Sequence, residues 1–370
     1  MISKLRLQNF RAYNKAELDL DDKFNRIIGP NGVGKTSLLE AMLHLGLGGS
    51  PWSERSTDVI SDGEVFAVVA GKGTSRRQDV SIKLKRGGRK EVYISGKRAP
   101  KMSELLGVFP MTTIGPQEID LVKGSPSVRR RMIDSVLCQM SREYTLNLGQ
   151  YRRLVSERNA ALKGERSGKI AGGQLLIETW DEALAPKAAF IMEGRARFLD
   201  VIRGLSGDIY NEILGGDGGD LSIEYKPTIR VGDMGVGEIE ENYKEKLAAR
   251  RRLDLDNGET AIGPHRDEFL FLRNGDRLSR FGSWGQARAA SISVIFAASD
   301  ILNKKTEDVV TLLLDDCFAE LDPENTSRFT DVASRFGQVI MTSPREIDAP
   351  KGIDGALFVF DGVGLVRREH

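Results

Sequence analysis

The sequence predicts an α/β lobe assembled from both ends of the chain, with a compact, mostly helical lobe inserted between them and no long coiled coil. Three observations predict it. Apolar runs of strand length, separated by glycine turns, fill the first hundred residues and return after residue 268. The stretch from 127 to 214 carries helical periodicity instead, with no heptad run long enough for extended arms. At 370 residues the chain also exceeds what one compact core holds. The expected boundaries are 1–122 and 256–370 for the two parts of the α/β lobe and 123–255 for the insert.

The N-terminal MISKLRLQNFRAY alternates Ile2, Leu5, Leu7 and Phe10 with Lys4 and Arg6, which reads as a strand rather than a leader. Phe24, Ile27 and Ile28 mark a second strand, and Leu38, Leu39, Met42, Leu43 and Leu45 a helix ending at Gly46. Strands follow at 64–70, 80–84 and 91–95, with turns at Gly87-Gly88 and Gly96-Lys97. Residues 127–163 read as helix and 164–173 as a break. Residues 175–214 are a second helical stretch that Pro186 is expected to kink or divide. Beyond the GGDGG turn at 215–219 come a strand at 221–226, a helix at 238–253, a strand at 268–272 and a helix at 286–303. Strands at 309–314, 338–341 and 356–360 complete the set, with a hairpin at Asp361-Gly362.

Composition is that of a soluble globular protein, 40% hydrophobic and 29% charged, without an apolar run of membrane-spanning length. Two cysteines, Cys138 and Cys317, and three scattered histidines argue against a disulfide frame or a zinc site and for a reducing cytoplasm. The net charge is only +1, but residues 72–101 carry eleven Lys/Arg against two acids, and 123–170 eleven against four. Such asymmetry suits a surface facing a polyanion, although solvated basic faces would look the same.

The chemistry-bearing motif is Gly29-Pro30-Asn31-Gly32-Val33-Gly34-Lys35-Thr36, between a strand and a helix. This G-x-x-x-x-G-K-T pattern aims backbone N–H groups and a positive helix end at phosphates, with Lys35 reaching the β/γ-phosphates and Thr36 a Mg²⁺ ion. The apolar run 309–314 ends in Asp315-Asp316, suited to hold that cation and to orient an attacking water. Ser283, Gly285 and Gln286 open the 286–303 helix. Alone they would be an ordinary N-cap; beside a P-loop they read as a second phosphate reader, hence ATP held between two molecules.

Taken together these motifs resemble the ABC-type ATPases of the SMC class, and within it the short, arm-less members that serve DNA repair. The resemblance rests on Leu7–Tyr13, the P-loop, Leu121–Arg131, Gly263-Pro264-His265-Arg266-Asp267-Glu268, Ser283–Gln286, and Asp315-Asp316 followed by Glu320-Leu321-Asp322. It implies an ABC-type P-loop ATPase head, Arg11 near the nucleotide phosphates, Gln117 as the Q-loop and a Mg²⁺ neighbour, Ser283 acting in trans, and Asp322 as the dimer-crossing D-loop. Thr342 stands at the place of a switch histidine in transporter ATPases. Trp284 departs from the polar residue expected within the signature, and Gln117-Glu118 from the usual acidic pair. The implied activity is weak DNA-dependent ATP hydrolysis by a homodimer that clamps duplex and single-strand/duplex junctions. RecR, RecO, RecA and single-strand-binding protein are the implied partners. Candidate DNA contacts are Lys83, Lys85, Arg86, Arg89, Lys90, Arg129, Arg130 and Arg131. The competing readings are a transporter nucleotide-binding subunit, disfavoured by Thr342 and the long insertion, and another short SMC-like ATPase.

Overall fold

A computed structural model describes residues 1–53, 55–74, 79–115, 121–168, 173–216, 218–306, 308–317, 323–360 and 365–368. The chain divides into two units. The first combines Met1–Leu121, Leu205–Gly219 and Ser283–His370; the second combines Val122–Gly204 and Asp220–Gly282.

The N-terminal part of the first unit contains β1 (Ile2–Phe10), β2 (Tyr13–Asp19), β3 (Phe24–Ile28), α1 (Lys35–Leu47), β4 (Phe66–Gly73), β5 (Asp79–Lys85), β6 (Glu91–Ile94), β7 (Lys97–Arg98) and β8 (Met111–Ile114). The order β2-β1-β4-β5-β6-β7 forms an antiparallel sheet. Its alternating pattern turns Leu5, Leu7, Val69, Ile82 and Leu84 inward, where they share one core with Leu38, Leu39, Met42 and Leu45 of α1. The opposite face carries the polar members of each alternation, as a half-buried antiparallel sheet requires.

The second unit contains α2 (Pro126–Met140), α3 (Arg142–Arg166), most of α4 (Gly173–Ile213), β9 (Leu221–Lys226), α5 (Val236–Asn257), β10 (Glu268–Arg273), β11 (Asp276–Arg277) and α6 (Leu278–Phe281). Two details differ from the sequence reading. The helical stretch 127–163 is two helices, because Ser141 is extended and its hydroxyl accepts the Tyr144 N–H at 3.1 Å, capping α3. Pro186 does not divide α4, which runs unbroken from 173 to 213. Leu184, Ala185, Ala188 and Ala189 around it are fully buried, and that packing outweighs the missing proline hydrogen bond. Residues 256–282, which the sequence reading assigned to the α/β lobe, cluster with the second unit, since β10 pairs with β9 along its whole length.

The C-terminal part of the first unit contains α7 (Trp284–Thr306), β12 (Thr311–Asp315), α8 (Pro323–Ala333), β13 (Gln338–Ser343), β14 (Ala356–Phe360) and β15 (Leu365–Arg368). The order β15-β14-β3-β13-β12-β8 forms a second sheet, parallel except at β15. Strands β3, β12 and β13 are buried at every position, with apolar residues at their centres and buried polar residues such as Asn25, Arg26, Gln338 and Thr342 held by hydrogen bonds. Strands from both chain ends thus interleave in one sheet. The hairpin expected at Asp361-Gly362 lies outside the described residues.

Buried ion pairs cross the second unit. Arg158 bridges Asp181 at 2.6 Å and Asp254 at 2.8 Å. Arg195 holds Asp134 at 3.0 Å and Asp267 at 3.3 Å and donates to the Pro264 carbonyl at 2.6 Å. The Gly263–Asp267 string therefore has a local function. Gly263 has φ +122°, and a Cβ there would lie 2.3 and 2.4 Å from the Tyr151 and Tyr243 hydroxyls. Tyr151 Oη and His265 Nδ1 lie 2.6 Å apart, and His265 Nε2 is 3.0 Å from the Thr260 carbonyl. That carbonyl can only accept, so Nε2 carries the proton and Nδ1 accepts from the tyrosine. Burial depresses His265 to a pKa of about 4, consistent with a neutral ring.

Candidate active site

The glycine loop joins β3 to α1. Gly32 (φ +84°) and Gly34 (φ +107°) adopt left-handed backbone, and a Cβ on Gly34 would sit 3.0 Å from the Tyr13 hydroxyl. Tyr13 Oη donates to the Gly34 carbonyl at 3.0 Å, tying the loop to β2. Helix α1 starts at Lys35 with no side-chain cap and no acid in its first turn. Its first N–H groups and positive dipole end are therefore left to an anion. Lys35 is largely buried, and its Nζ folds back onto the Gly29 and Pro30 carbonyls at 2.6 and 2.8 Å. Burial lowers the pKa of this ammonium, while Asp316 and Asp315 act to raise it.

Beside the loop, the ends of β12 and β13 bring three oxygen-bearing side chains together. Thr36 Oγ1 lies 3.0 and 2.9 Å from the two Asp315 carboxylate oxygens, and Thr342 Oγ1 donates to Asp315 Oδ1 at 2.7 Å. Burial raises the Asp315 pKa, and the Thr342 and Thr36 hydrogen bonds oppose that shift. Asp316 has φ +48°, a left-handed conformation that costs an L-residue roughly 1–2 kcal/mol. Its N–H donates to Thr342 Oγ1 at 3.1 Å, and its buried Oδ1 has no hydrogen-bond partner among the described residues. An orphaned carboxylate oxygen on left-handed backbone is a free acceptor site beside the loop.

A groove of about 730 Å³ flanks the loop, lined by Tyr13, Asn14, Lys15, Pro30, Val33 and Phe360. At the start of α7, Ser283 and Gln286 cap one another: the Gln286 N–H donates to Ser283 Oγ at 3.1 Å, and the Ser283 N–H to Gln286 Oε1 at 3.0 Å. A Cβ added to Gly285 would meet nothing nearer than Ser283 Oγ at 4.0 Å, so nothing among the described residues requires glycine there. Trp284 is 70% exposed.

Other expected residues are placed differently. Arg11, also in left-handed backbone, pairs with buried Glu40 at 2.8 Å and donates to Ser53 Oγ and the Asp58 carbonyl, both at 3.0 Å. It braces α1 and is not seen extended toward the loop. Among the basic candidates, Lys90 points inward to the Gly48 carbonyl, and Arg86 donates to the Glu64 and Ile60 carbonyls. Arg129 is buried against Glu268 at 2.8 Å, and Arg130 donates to the Asp267 carbonyl at 2.7 Å. Lys90, Arg129 and Arg130 are thus turned onto carbonyls and an acid and are corrected to structural cations, whereas Arg86 keeps an exposed side chain while donating to its two carbonyls. Lys85 pairs with Glu91 and Lys83 lies over the Phe66 ring at 4.5 Å, both on the outer face of the antiparallel sheet, while Arg89 and Arg131 are exposed. Gln117 and Asp322 lie outside the described residues. The sequence reading missed Tyr13 and Glu40, whose partners are fixed only by sheet pairing and helix packing. It located Thr342 without its contacts.

Comparison with known proteins agrees with this geometry. The family model of the RecF/RecN/SMC N-terminal domain matches residues 1–349. The DNA replication and repair protein RecF of Bacillus cereus (strain B4264) is 32% identical over 346 residues, covering 92% of this chain and 91% of the relative. This chain belongs to the RecF family. The RecF of Bacillus thuringiensis (strain Al Hakam) matches equally, at 32% over 346 residues and the same coverage. A solved structure of the recombination mediator protein RecF-ATPrS in the RecFOR pathway superposes with a TM-score of 0.89 at 27% identity, covering 100% of this chain and 98% of that one. An Smc head bound to the C-winged helix domain of ScpA, at 18% identity and a TM-score of 0.57, shares the fold. The RecF-family chain accordingly has the ABC-type ATPase head expected from its motifs. Among the described residues no helix is long and apolar enough to cross a membrane.

Proposed function

We propose that the chain is an ATP-dependent DNA-binding ATPase of recombinational repair and replication, in which ATP joins two copies around DNA and slow hydrolysis parts them. The observation that carries this reading is the juxtaposition of an uncapped helix N-terminus at the glycine loop with the Thr36–Asp315–Asp316 oxygen cluster. The triphosphate lies along the loop, where Lys35 exchanges its carbonyl partners for phosphate oxygens. The flanking groove receives ribose and base. The oxygen-only set of Thr36 and Asp315 suits a hard cation, with Gln117 as a further neighbour. Mg²⁺ there would neutralise charge on the β- and γ-phosphates. Asp316 orients the attacking water through its otherwise unpartnered carboxylate oxygen.

Dimerisation is supported by the signature itself. Gly285 sits in the first turn of α7, and a Cβ there would meet nothing nearer than 4.0 Å, so the space beside it is open to a group from outside. The γ-phosphate bound by a second copy has the charge and size for it. DNA contact falls to exposed cations such as Arg89 and Arg131 and to Lys83 and Lys85, through phosphates rather than base edges. Membership in the RecF family makes RecR and RecO the partners to test first, with RecA and single-strand-binding protein downstream.

The test is light scattering with and without ATP, then DNA binding on a gapped duplex at two salt concentrations. The wild type is expected to double in mass with ATP and to lose DNA affinity steeply with salt. Ser283→Arg is expected to bind ATP and remain monomeric; ATP-driven dimerisation of that variant would sink the sandwich.

A further inference from the structure

We propose that Thr342 is a positioning residue for hydrolysis, whose single hydroxyl sets both the Asp315 carboxylate and the Asp316 backbone; this rests on the ATPase reading above. Thr342 lies opposite Asp315 in the parallel β12–β13 register and is fully buried. Its hydroxyl proton goes to Asp315 Oδ1 at 2.7 Å, and its lone pair accepts the Asp316 N–H at 3.1 Å. One oxygen therefore links two consecutive residues assigned different roles, and each bond polarises the other.

Two features make this link specific. Asp316 is in left-handed backbone, a conformation that persists only when neighbours over-determine it. The Thr342 hydroxyl holds its N–H from one side, and Arg288 on α7 donates to the next carbonyl, Cys317, at 2.5 Å. Release of the N–H would let the peptide relax toward ordinary φ and swing the Asp316 carboxylate from its place. The other hydroxyl on Asp315 belongs to Thr36 at 2.9 Å, and that group is the one a cation beside the triphosphate would claim. Thr342 is then the hydroxyl that still orients Asp315 when the site is loaded.

The experiment compares Thr342→Val, Thr342→Ser and Thr342→Ala by ATP turnover, by affinity for a fluorescent ATP analogue, and by thermal melting. Val keeps the shape and loses the hydroxyl; Ser keeps the hydroxyl and loses a methyl. The expected result is a kcat at least 30-fold lower for Val with KM for ATP within threefold of wild type, and a Ser variant within threefold in both. If Val fails to fold, the Ser–Ala pair makes the same comparison, with Ser active and Ala at least 30-fold slower at comparable melting temperature. A Val variant within threefold of an active wild type, or a Ser variant as slow as Val, overturns the assignment. A wild type without ATP turnover would instead overturn the functional reading beneath it.

Discussion

Asp267 closes the Gly263–Asp267 string and offers the sharpest structural test. Its Oδ1 accepts the Thr228 N–H at 2.9 Å and the Thr228 hydroxyl at 3.3 Å; its Oδ2 accepts from the Tyr225 hydroxyl and from Arg195 at 3.3 Å. The side chain is fully buried. Asp267→Ala removes these acceptors together. Arg195 keeps Asp134 through two nitrogens and the Pro264 carbonyl, so its charge stays paired and the full cost of a stranded buried ion does not apply. The Tyr225 hydroxyl and the Thr228 N–H lose their acceptor. At roughly 1–3 kcal/mol for each unsatisfied buried donor, plus the lost Arg195 contact, the expected loss is about 3–6 kcal/mol. Urea titration should show it as a lowered midpoint of the second unit, and calorimetry as a fall of roughly 10 °C or more for a unit of this size. The neighbouring Arg266 is 43% exposed at its side chain and pairs with half-exposed Glu259, so Arg266→Ala is expected to cost less than about 1 kcal/mol. A loss below about 1 kcal/mol for Asp267→Ala, or equal losses for the two variants, would refute the buried-clasp account of this motif.

Three further outcomes are expected. Lys35→Met removes the ammonium whose two hydrogen bonds are proposed to pass to phosphate oxygens; at roughly 1.5–3 kcal/mol per charge-assisted bond, ATP affinity should fall at least a hundredfold in equilibrium binding. Asp316→Asn should keep ATP binding and the ATP-bound dimer while turnover drops by roughly 100-fold, with wild-type turnover as the result that removes Asp316 from the chemistry. His44 and His265 are both held near pKa 4 by burial, below the ordinary 6.5. The unfolded chain therefore takes up protons first on acidification, so stability should be full above pH 6.5 and decline as pH falls toward 4. The loss reaches about 3 kcal/mol per histidine. His265→Gln should flatten that slope in urea titrations at about pH 7 and pH 5, and an unchanged slope would show that the ring is not buried neutral.

Much of the first unit was legible because its local signals agree with its fold. The Gly29–Thr36 loop needs only a strand before it and a helix after it, and both are written in adjacent apolar periodicities. Strand β12 announced itself as an apolar run because a parallel strand is covered on both faces, and β13 through its Val339-Ile340-Met341 centre. The helical insert was equally visible, yet Pro186 does not divide α4, since a proline's local cost says nothing about the packing that outweighs it. The basic stretches misled for a similar reason. Charge counted along the chain cannot tell an outward Arg131 from Arg129, two residues earlier and turned inward onto Glu268 by the helical repeat.

By itself, then, the sequence placed Lys35, Thr36, Asp315, Asp316 and the Ser283–Gln286 helix start in motifs whose chemistry suits the triphosphate proposed above. Those identities follow from short motifs whose backbone geometry is local. Only the tertiary structure decided how they are held. Thr342 reaches Asp315 across 27 residues, Thr36 reaches it across 279, and Arg11 meets Glu40 across 29. Such pairings depend on strand register and helix placement, and no periodicity within either partner encodes them.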